Sequence, residues 1–593
     1  MFLPIDKSDL EERNIEQVDF VIVTGDAYVD SPSFGTAIIG RVLERFGYSV
    51  GIVAQPDWTS CENFKIFGEP RYGFLINSGN MDSMVNHYTV NKKRRKNDAY
   101  TPGGATNKRP DRAIIVYSNL VRTAYKDIPI IIGGIEASLR RLSHYDYWED
   151  KIRKSILIDS GANLLLYGMG ERSVIELAQA LESGIDINDI TYIKGSVFKT
   201  RTPNIVYEGL FLPSFKDVVN DKIKFAKSFV MQEEQADPYR GKPLIEEYEK
   251  GWFVVQNPPS EPLNTLELDD VYELPFENKA HPSYKEEISA AKETQFSITS
   301  NRGCFGSCSF CALTFHQGRI VNGRSTDSMI KEALNMTKHE NFKGYIHDVG
   351  GPSANFIDTQ CQKANIKGTC KDRKCLYPTS CKFLNVNHDS YIDALRKIRK
   401  LDGVKKVFIR SGIRYDYLLL DKKSKNIIKE IAQNHVSGQL RIAPEHISDN
   451  VLKHMGKPKK EIYEKFVLEF NKASKEVNKT QYIVPYFMSS HPGTTLKDAI
   501  ELAIYFKQTG QTPEQVQDFY PTPSTLATCM FYTGVNPYTL EKVYVPKSKE
   551  EKLMQRALLQ FNKKENRHLV QKALKLANRE DLIGNNPNCL LKK

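Results

Sequence analysis

Short apolar runs alternate with amphipathic stretches in the first third of the chain. Residues 19–23 and 48–53 are apolar runs of strand length, and residues 35–46 between them have the spacing of an amphipathic helix. Two strands joined through one helix run parallel. Similar runs at residues 113–117, 128–132 and 163–167 end in glycine or polar residues. The pattern predicts an α/β fold, with a Rossmann-like parallel sheet over residues 1–195.

The pattern changes after residue 195. Residues 215–235 have helical spacing, whereas residues 256–262 contain three prolines, which exclude a central strand through that stretch. We therefore predict a helical and proline-rich connector over residues 196–290.

Strand and helix signals alternate again from residue 295 onward. Strand-like runs lie at residues 295–300, 344–349, 406–410, 438–442, 481–486 and 516–519, and helical stretches at 325–336, 389–400, 424–433, 460–472 and 495–508. This alternation predicts a partial (β/α) barrel over residues 291–560, with a cysteine-rich insertion at residues 361–381. Residues 561–593 form a basic tail, which we expect to fray from Asn585 to Lys593.

Composition and charge narrow the class of protein. A chain of 593 residues is too long for one hydrophobic core and should divide into two or three domains. A content of 40% apolar and 26% charged residues is typical of a soluble globular protein. The net charge of +11 is gathered partly at residues 91–96 and after Pro546, where solvated loops and nucleic-acid contact both fit. The amino terminus lacks an export signal, and no apolar run reaches the ~20 residues of a membrane helix. We therefore expect a cytoplasmic protein.

Three of the ten cysteines, Cys304, Cys308 and Cys311, lie close together. Gaps of three and two residues let one loop present three thiolates to an iron–sulfur cube and leave one iron without a local protein ligand. Gly303 and Gly306 permit the tight backbone that such a loop needs. Half of a structural zinc site, or thiols that pack as small apolar groups, would use the same residues.

A second group of thiols consists of Cys361, Cys370, Cys375 and Cys381. In a reducing compartment these cysteines are not expected to form disulfides. Gaps of eight, four and five residues suit a loop folded on a metal better than a helix or a strand. An auxiliary iron–sulfur cluster, a structural zinc and unligated thiols are the three interpretations.

The motif Cys304-x3-Cys308-x2-Cys311, with Phe310 before its last cysteine, resembles the signature of the radical S-adenosylmethionine (SAM) superfamily. Within it, residues 302–312 and 316–319 resemble the bacterial UPF0313 family, of the YgiQ type. The resemblance implies a [4Fe–4S] cluster on the three cysteines, whose open iron binds the amino and carboxylate groups of SAM. It also implies an electron donor such as a flavodoxin or ferredoxin.

Further cofactor contacts are predicted beside the motif and at the ends of barrel strands. The resemblance implies Phe310 and the backbone of Gly350 and Gly351, for which a plain turn is the alternative. Pro352 stands where many members of the superfamily have glutamate, so only the backbone role is carried over. Ser411 follows another predicted barrel strand, at the end where side chains face an active site. His316, in contrast, is expected to be an ordinary hydrogen-bonding residue.

The order of the amino-terminal pieces is similar to the cobalamin-binding type of Rossmann-like domain that precedes many radical SAM cores. The similar pieces are residues 30–35, 133–134 and 168–171. Ser31 stands where many cobalamin proteins carry a histidine. Ligation of cobalamin by a histidine there is therefore not expected, and cobalamin binding itself is left open.

These features predict a radical SAM enzyme that cleaves SAM reductively and acts on a substrate that the motifs do not identify. The alternatives are an RNA-modifying radical SAM enzyme, which the basic segments would favour, and a non-catalytic metal-binding or redox-sensing protein. Salt-dependent RNA binding would favour the first alternative, and zinc at Cys304, Cys308 and Cys311 would favour the second.

Overall fold

A nine-stranded mixed sheet forms the core of the amino-terminal half in the computed structural model, which describes residues 1–511, 513 and 516–592. Its five parallel strands, in chain order, have the spatial order 2-1-3-4-5. This is the doubly wound order of flavodoxin-like folds, so the predicted parallel sheet is confirmed. From edge to edge the nine strands are Val50–Ala54, Phe20–Thr24, Gly73–Asn77, Ile130–Ile132, Leu164–Leu166, Ser196–Thr200, Phe253–Gln256, Leu244–Glu247 and Leu210–Phe211.

The sheet differs from the sequence prediction at two places, one wrong strand and one missed strand. Residues 113–117, predicted as a strand, begin the helix Ala113–Ala124. Its buried positions share one face of a 3.6-residue repeat, and packing that face on the sheet outweighs the strand preference of its β-branched residues. The strand Gly73–Asn77 was not predicted, yet it lies between Phe20–Thr24 and Ile130–Ile132. Its five residues are too few to show a period clearly.

The first part of the predicted connector also belongs to this sheet. Residues 196–256 contribute the four strands from Ser196–Thr200 to Phe253–Gln256, which pair antiparallel except at the outer edge. The predicted helical run is two helices, Phe215–Asn220 and Lys222–Glu234. The other helices of this half are Lys7–Glu12, Gly35–Arg45, Ser83–His87, Gly134–Leu139, Ile156–Asp159, Glu171–Glu182, Thr265–Tyr272 and Ser289–Thr294. Small two-stranded sheets join Val29–Asp30 to Lys279–Ala280 and His144–Asp146 to Lys151–Arg153.

Parallel strand pairs follow one another in chain order through the carboxyl-terminal half, and one short antiparallel pair joins Asn301–Arg302 to Asn322–Gly323. Ser297–Thr299 pairs with Asp348–Gly350, and Tyr345–Ile346 pairs with Lys406–Val407. Gln439–Glu445, Tyr482–Ser489 and Gln517–Asp518 then form a three-stranded parallel sheet. This succession of parallel strands with intervening helices is the predicted partial barrel.

The five barrel helices that were predicted lie within a few residues of their predicted bounds, and several shorter helices were not predicted. Ser325 caps one helix through the amide of Ser328, and Thr495 caps another through the amide of Asp498, as polar residues before an apolar repeat commonly do. The helices are Ala312–Gln317, Thr326–Thr337, Ala364–Lys367, Asp389–Arg399, Tyr415–Leu418, Ser424–Asn434, Asp449–Met455, Lys460–Glu476, Leu496–Thr509, Leu526–Thr533, Lys549–Leu559 and Arg567–Leu576.

The end of the chain is packed, so the expectation that it frays was wrong. Cys589, Leu590 and Leu591 are buried, and the two leucines join a hydrophobic cluster with the last helices. Apolar burial therefore orders the segment through Lys592, whereas Lys593 lies outside the described residues. Within residues 1–511, 513 and 516–592, no helix is long and apolar enough to cross a membrane.

Candidate functional site

The three-cysteine loop connects the short strand Asn301–Arg302 to the helix Ala312–Gln317. Gly303 has φ +79, and a Cβ there would lie 2.0 Å from the carbonyl oxygen of Ile320, so only glycine fits. The amide of Ser309 donates to the carbonyl of Met455 at 3.0 Å. Close packing of Gly303 on Ile320 and the hydrogen bond from Ser309 to Met455 therefore fix the start and the middle of the loop.

The three thiols of this loop influence one another electrostatically. Cys304 is buried, and Cys308 and Cys311 are half-buried. Burial raises the pKa of Cys311 to about 12, and the charges of Cys308 and Cys304 raise it as well. Burial likewise raises the pKa of Cys304. Thiolates crowded in this way repel one another, and iron would relieve the repulsion, so the donor chemistry of the three thiols is that of an iron cluster although their side chains are not arranged around a metal position.

No group of three or more His, Cys, Asp or Glu side chains among the described residues is arranged to hold a metal ion.

Arg414 supplies positive charge to the loop, and sequence reasoning missed it. Its Nη1 donates to Sγ of Cys308 at 3.5 Å, and its Nε and Nη2 donate to the carboxylate of Asp416 at 2.7 and 3.1 Å. The guanidinium opposes the burial that raises the pKa of Cys304. A Cβ on Gly306 would lie 2.3 Å from Nη1 of Arg414 and 3.3 Å from Sγ of Cys304, so glycine lets arginine and thiol approach.

An aromatic wall covers the Cys304 side of the loop. The ring of Phe305 stacks on Phe356 with centroids 3.8 Å apart, and the edge of Tyr417 closes against both rings. Cys304 belongs to this buried cluster, and Cys375 of the second cysteine group packs at its margin. The wall excludes water from one thiol and joins the two cysteine-bearing segments.

Gly350, Gly351 and Ser411 lie together beside the loop. A Cβ on Gly350 would lie 1.9 Å from Oγ of Ser411, and one on Gly351 would lie 2.4 Å from Oδ1 of Asn301. Ser353, two residues after Gly351, hydrogen-bonds the thiol of Cys304. The structure thus brings these predicted cofactor residues to the edge of the cysteine loop.

Phe310 packs against residues other than those that surround Gly350 and Gly351. Its ring packs edge-on against His491 with centroids 5.9 Å apart, and Nζ of Lys457 lies 6.0 Å from its centroid. Ser309 next to it contacts Nε2 of His491 at 3.1 Å. The cofactor role of Phe310 stays a prediction.

The second cysteine group surrounds Cys375. Burial raises the pKa of Cys375 to about 11; the guanidinium of Arg319 opposes this, and the charges of Cys361, Cys370 and Cys381 add to it. Arg319 donates to the carbonyls of Cys370 and Arg373 at 3.0 and 3.1 Å. The four thiols are therefore close enough for electrostatic interaction, and the metal that they would hold stays a prediction.

Polar contacts fasten this second segment to its surroundings. Nζ of Lys374 donates to the carbonyl of Ser307 in the first loop at 3.3 Å, and the amide of Thr369 donates to Asp237 at 2.6 Å. The insertion therefore contacts both the cysteine loop and the amino-terminal half.

A cavity of about 850 Å³ opens at the carboxyl ends of the parallel strands. Its polar edge includes Asn77, Gly133, Gly134 and Gly168, where α/β sheets commonly bind ligands. His316 also lines it, with Nδ1 3.0 Å from Oγ of Ser138. Burial lowers the pKa of His316 to about 4, so the imidazole is neutral at pH 7.

Two family models match the two ends of the chain, and curated relatives align with its full length. The family model described as Radical SAM N-terminal matches residues 2–297, and the one described as Domain of unknown function (DUF3362) matches residues 514–593. A UPF0313 protein of Clostridium botulinum (strain ATCC 19397 / Type A) is 56% identical over 592 residues, which span 100% of this chain and 92% of that protein. A UPF0313 protein of Clostridium perfringens (strain 13 / Type A) is 56% identical over 594 residues, which span 100% and 89%.

Two solved structures resemble the chain more distantly. The radical SAM methyltransferase TsrM from Kitasatospora setae, with cobalamin and a [4Fe-4S] cluster bound, aligns with a TM-score of 0.48 and 12% identity over 94% of this chain and 99% of that one. The cobalamin-dependent SAM radical enzyme OxsB, with aqua-cobalamin and SAM bound, aligns with a TM-score of 0.46 and 11% identity over 98% and 64%.

Proposed function

Because the chain belongs to the UPF0313 family of the radical SAM superfamily, we propose that it holds a [4Fe–4S] cluster on Cys304, Cys308 and Cys311 and cleaves SAM reductively. The observation that supports this most is the clamped loop of three interacting thiols beside Arg414 and the Gly350–Gly351 pair. By family, the protein is a radical SAM enzyme.

When bound, such a cluster supplies one low-potential electron and an open iron for the amino and carboxylate groups of SAM. Reductive cleavage of the carbon–sulfur bond gives methionine and a 5′-deoxyadenosyl radical. The electron would come from a reduced flavodoxin or ferredoxin, which we propose as the partner.

The residues of the chain prepare this chemistry. Arg414 places a positive charge beside the loop, because its guanidinium donates a hydrogen bond to the sulfur of Cys308. Phe305 and Phe356 keep water from Cys304. Gly350 and Gly351 bring the backbone close to Ser411 and Asn301 beside the loop, where a side chain would collide with these residues.

Anaerobic reconstitution tests the proposal. The parent protein should bind about four irons at the loop and, with a strong reductant, convert SAM to 5′-deoxyadenosine and methionine, measured by chromatography. Cys304→Ala should abolish 5′-deoxyadenosine formation. Cys61→Ala, which removes an isolated half-buried thiol, is the matched control. If Cys304→Ala cleaved SAM as fast as the parent, the proposal would be wrong.

We further propose that Cys361, Cys370, Cys375 and Cys381 hold a second metal centre, an auxiliary iron–sulfur cluster or zinc. The mutual effect of the four thiols on the pKa of Cys375 supports it, since a metal would relieve their repulsion.

For cobalamin, we propose that any binding occurs without a histidine from the position of Ser31. Ser31 is buried, and its Oγ accepts from the amide of Ser33 at 3.3 Å. Spin-resonance spectra of protein loaded with cobalamin should show no histidine nitrogen on cobalt, and a spectrum with such a nitrogen would refute this.

RNA modification stays the second candidate. Residues 92–96 are exposed, and all five are lysine or arginine. Filter binding of RNA at rising salt would favour this candidate if the affinity fell steeply with salt concentration.

A further inference from the structure

A second cavity, with about 900 Å³ of empty space partly open to solvent, lies between the amino-terminal sheet and the segment that follows the cysteine loop. Four arginines line it, namely Arg141, Arg172, Arg302 and Arg319. We propose that this cavity binds the carboxylate or phosphate group of an anionic small-molecule substrate, with Arg141 and Arg302 as its ligands. The assignment of that molecule as substrate rests on the proposed SAM chemistry.

Arg141 is a buried charge without an acidic partner among the described residues. Its side chain is 1% exposed. Nε donates to Oε1 of Gln256 and Nη1 donates to the carbonyl of Ser138, both at 2.7 Å. The guanidinium lies between two rings, 3.9 Å from the centroid of Phe315 and 4.5 Å from that of Tyr167. Burial lowers the pKa of Arg141 to about 10, which leaves the group charged at pH 7.

Other buried arginines of the chain are neutralised internally. Arg109 is as buried as Arg141, and its Nη2 lies 2.9 Å from Asp26 and 3.2 Å from Asp98. Arg324 and Arg140 are likewise paired, with Glu332 and Asp82. An isolated buried charge is unfavourable, so the missing counter-charge at Arg141 indicates that a ligand supplies it.

Arg302 brings a second donor to the same cavity. It is buried and pairs with Glu171 through Nη1, while its Nη2 has no hydrogen-bond partner in the described part of the chain. Nε of Arg172 is also unpartnered there. Glu171 lines the neighbouring cavity and not this one. The one carboxylate in the lining, Glu261, is held by Lys194 at 2.7 Å.

The position of the cavity connects it to the radical chemistry. Arg302 and Gly303 lead directly into Cys304, and residues 314–320 follow the last cysteine of the loop. A guanidinium forms strong, charge-assisted hydrogen bonds with carboxylate or phosphate, and Nη2 of Arg302, which has no partner among the described residues, is free to donate one. An anion held here would thus fix its remaining atoms next to the cysteine loop.

Calorimetric titration of the full-length protein tests the site with two probes, inorganic phosphate and acetate, at constant ionic strength. At least one should bind saturably with one equivalent. Binding of phosphate alone would specify a phosphorylated substrate, and binding of acetate alone a carboxylic acid. SAM should not displace the anion, because SAM is assigned to the glycine pair.

Variants locate the binding. Arg141→Met should weaken it at least tenfold, whereas Arg71→Met, which removes an exposed guanidinium paired with Asp19, should bind as the parent does. If Arg141→Met does not fold, Arg141→Lys serves instead and should weaken binding at least threefold, since lysine keeps the charge but not the paired donors. Neither probe binding saturably, a variant at Arg141 binding like the parent, or displacement by SAM would overturn the proposal.

The assay of 5′-deoxyadenosine on the same parent preparation separates the two claims. Anion binding without SAM cleavage would contradict the proposed function and leave the anion site standing. Cleavage of SAM without anion binding would contradict the anion site alone.

Discussion

The two cysteine-bearing segments are built on different principles. Residues 304–311 form a short loop whose backbone is determined by Gly303 and Gly306 and whose buried side is covered by aromatic rings. Residues 361–381 form a longer segment with an exposed Cys370, and polar contacts from Arg319, Lys374 and Asp237 hold it in place. A preformed, desolvated loop suits a reactive cofactor, whereas a segment tied down at its edges suits a centre that itself helps to order the chain.

Removing the first set of thiols should produce the largest effect. The triple variant Cys304→Ala, Cys308→Ala and Cys311→Ala should lose 5′-deoxyadenosine formation entirely, because no thiolate remains to hold the cluster whose open iron would bind SAM. It should retain metal on Cys361, Cys370, Cys375 and Cys381, measured as iron and zinc content with absorbance spectra to separate a cluster from zinc. A folded triple variant free of metal would show that the second segment is only rich in thiols.

Arg414→Met should have an intermediate effect. Loss of the contact to Cys308, about 1.5–3 kcal/mol, should move the cluster potential negative by at most roughly 65–130 mV for one electron. A redox titration followed by spin resonance measures it, and Arg414→Lys should restore part of the shift.

A matched control separates that charge effect from simple destabilisation. Arg324→Met breaks another buried ion pair, with Glu332. We expect it to lower the free energy of unfolding by about 3–5 kcal/mol, as the loss of the Arg414–Asp416 pair also should, without changing the reduction potential. Equal potentials in Arg414→Met and the parent would remove Arg414 from the electrostatic account of the loop.

Lys374→Met should have the smallest effect, because it removes one polar contact between the two segments. We expect a loss in the free energy of unfolding of about 0.5–1.5 kcal/mol, measured by urea titration, with SAM cleavage within about twofold of the parent. Lys371→Met, at an exposed lysine of the same segment, is the control. A much larger loss of SAM cleavage in Lys374→Met would show that the second segment acts on the first and is more than its neighbour.

Local sequence alone determined a large part of this protein. The runs at residues 19–23, 48–53 and 163–167 form strands of the parallel sheet. Such a sheet is covered on both faces, so consecutive apolar residues of a strand are all buried. Ser325 and Thr495 cap their helices through contacts that span only three residues. The motif Cys304-x3-Cys308-x2-Cys311 is likewise local, since one loop carries all three thiols.

Tertiary structure decided the rest, because the deciding contacts join residues far apart in the chain. Residues 113–117 have strand propensity but form a helix, since one helical face packs on the sheet. Arg414 meets Cys308 across 106 residues, and Arg141 meets Phe315 only where the two halves of the chain pack together. Propensity and spacing report on neighbours within a few positions, whereas the charge around a thiol, and the missing counter-charge of Arg141, depend on which distant segments the fold brings into contact.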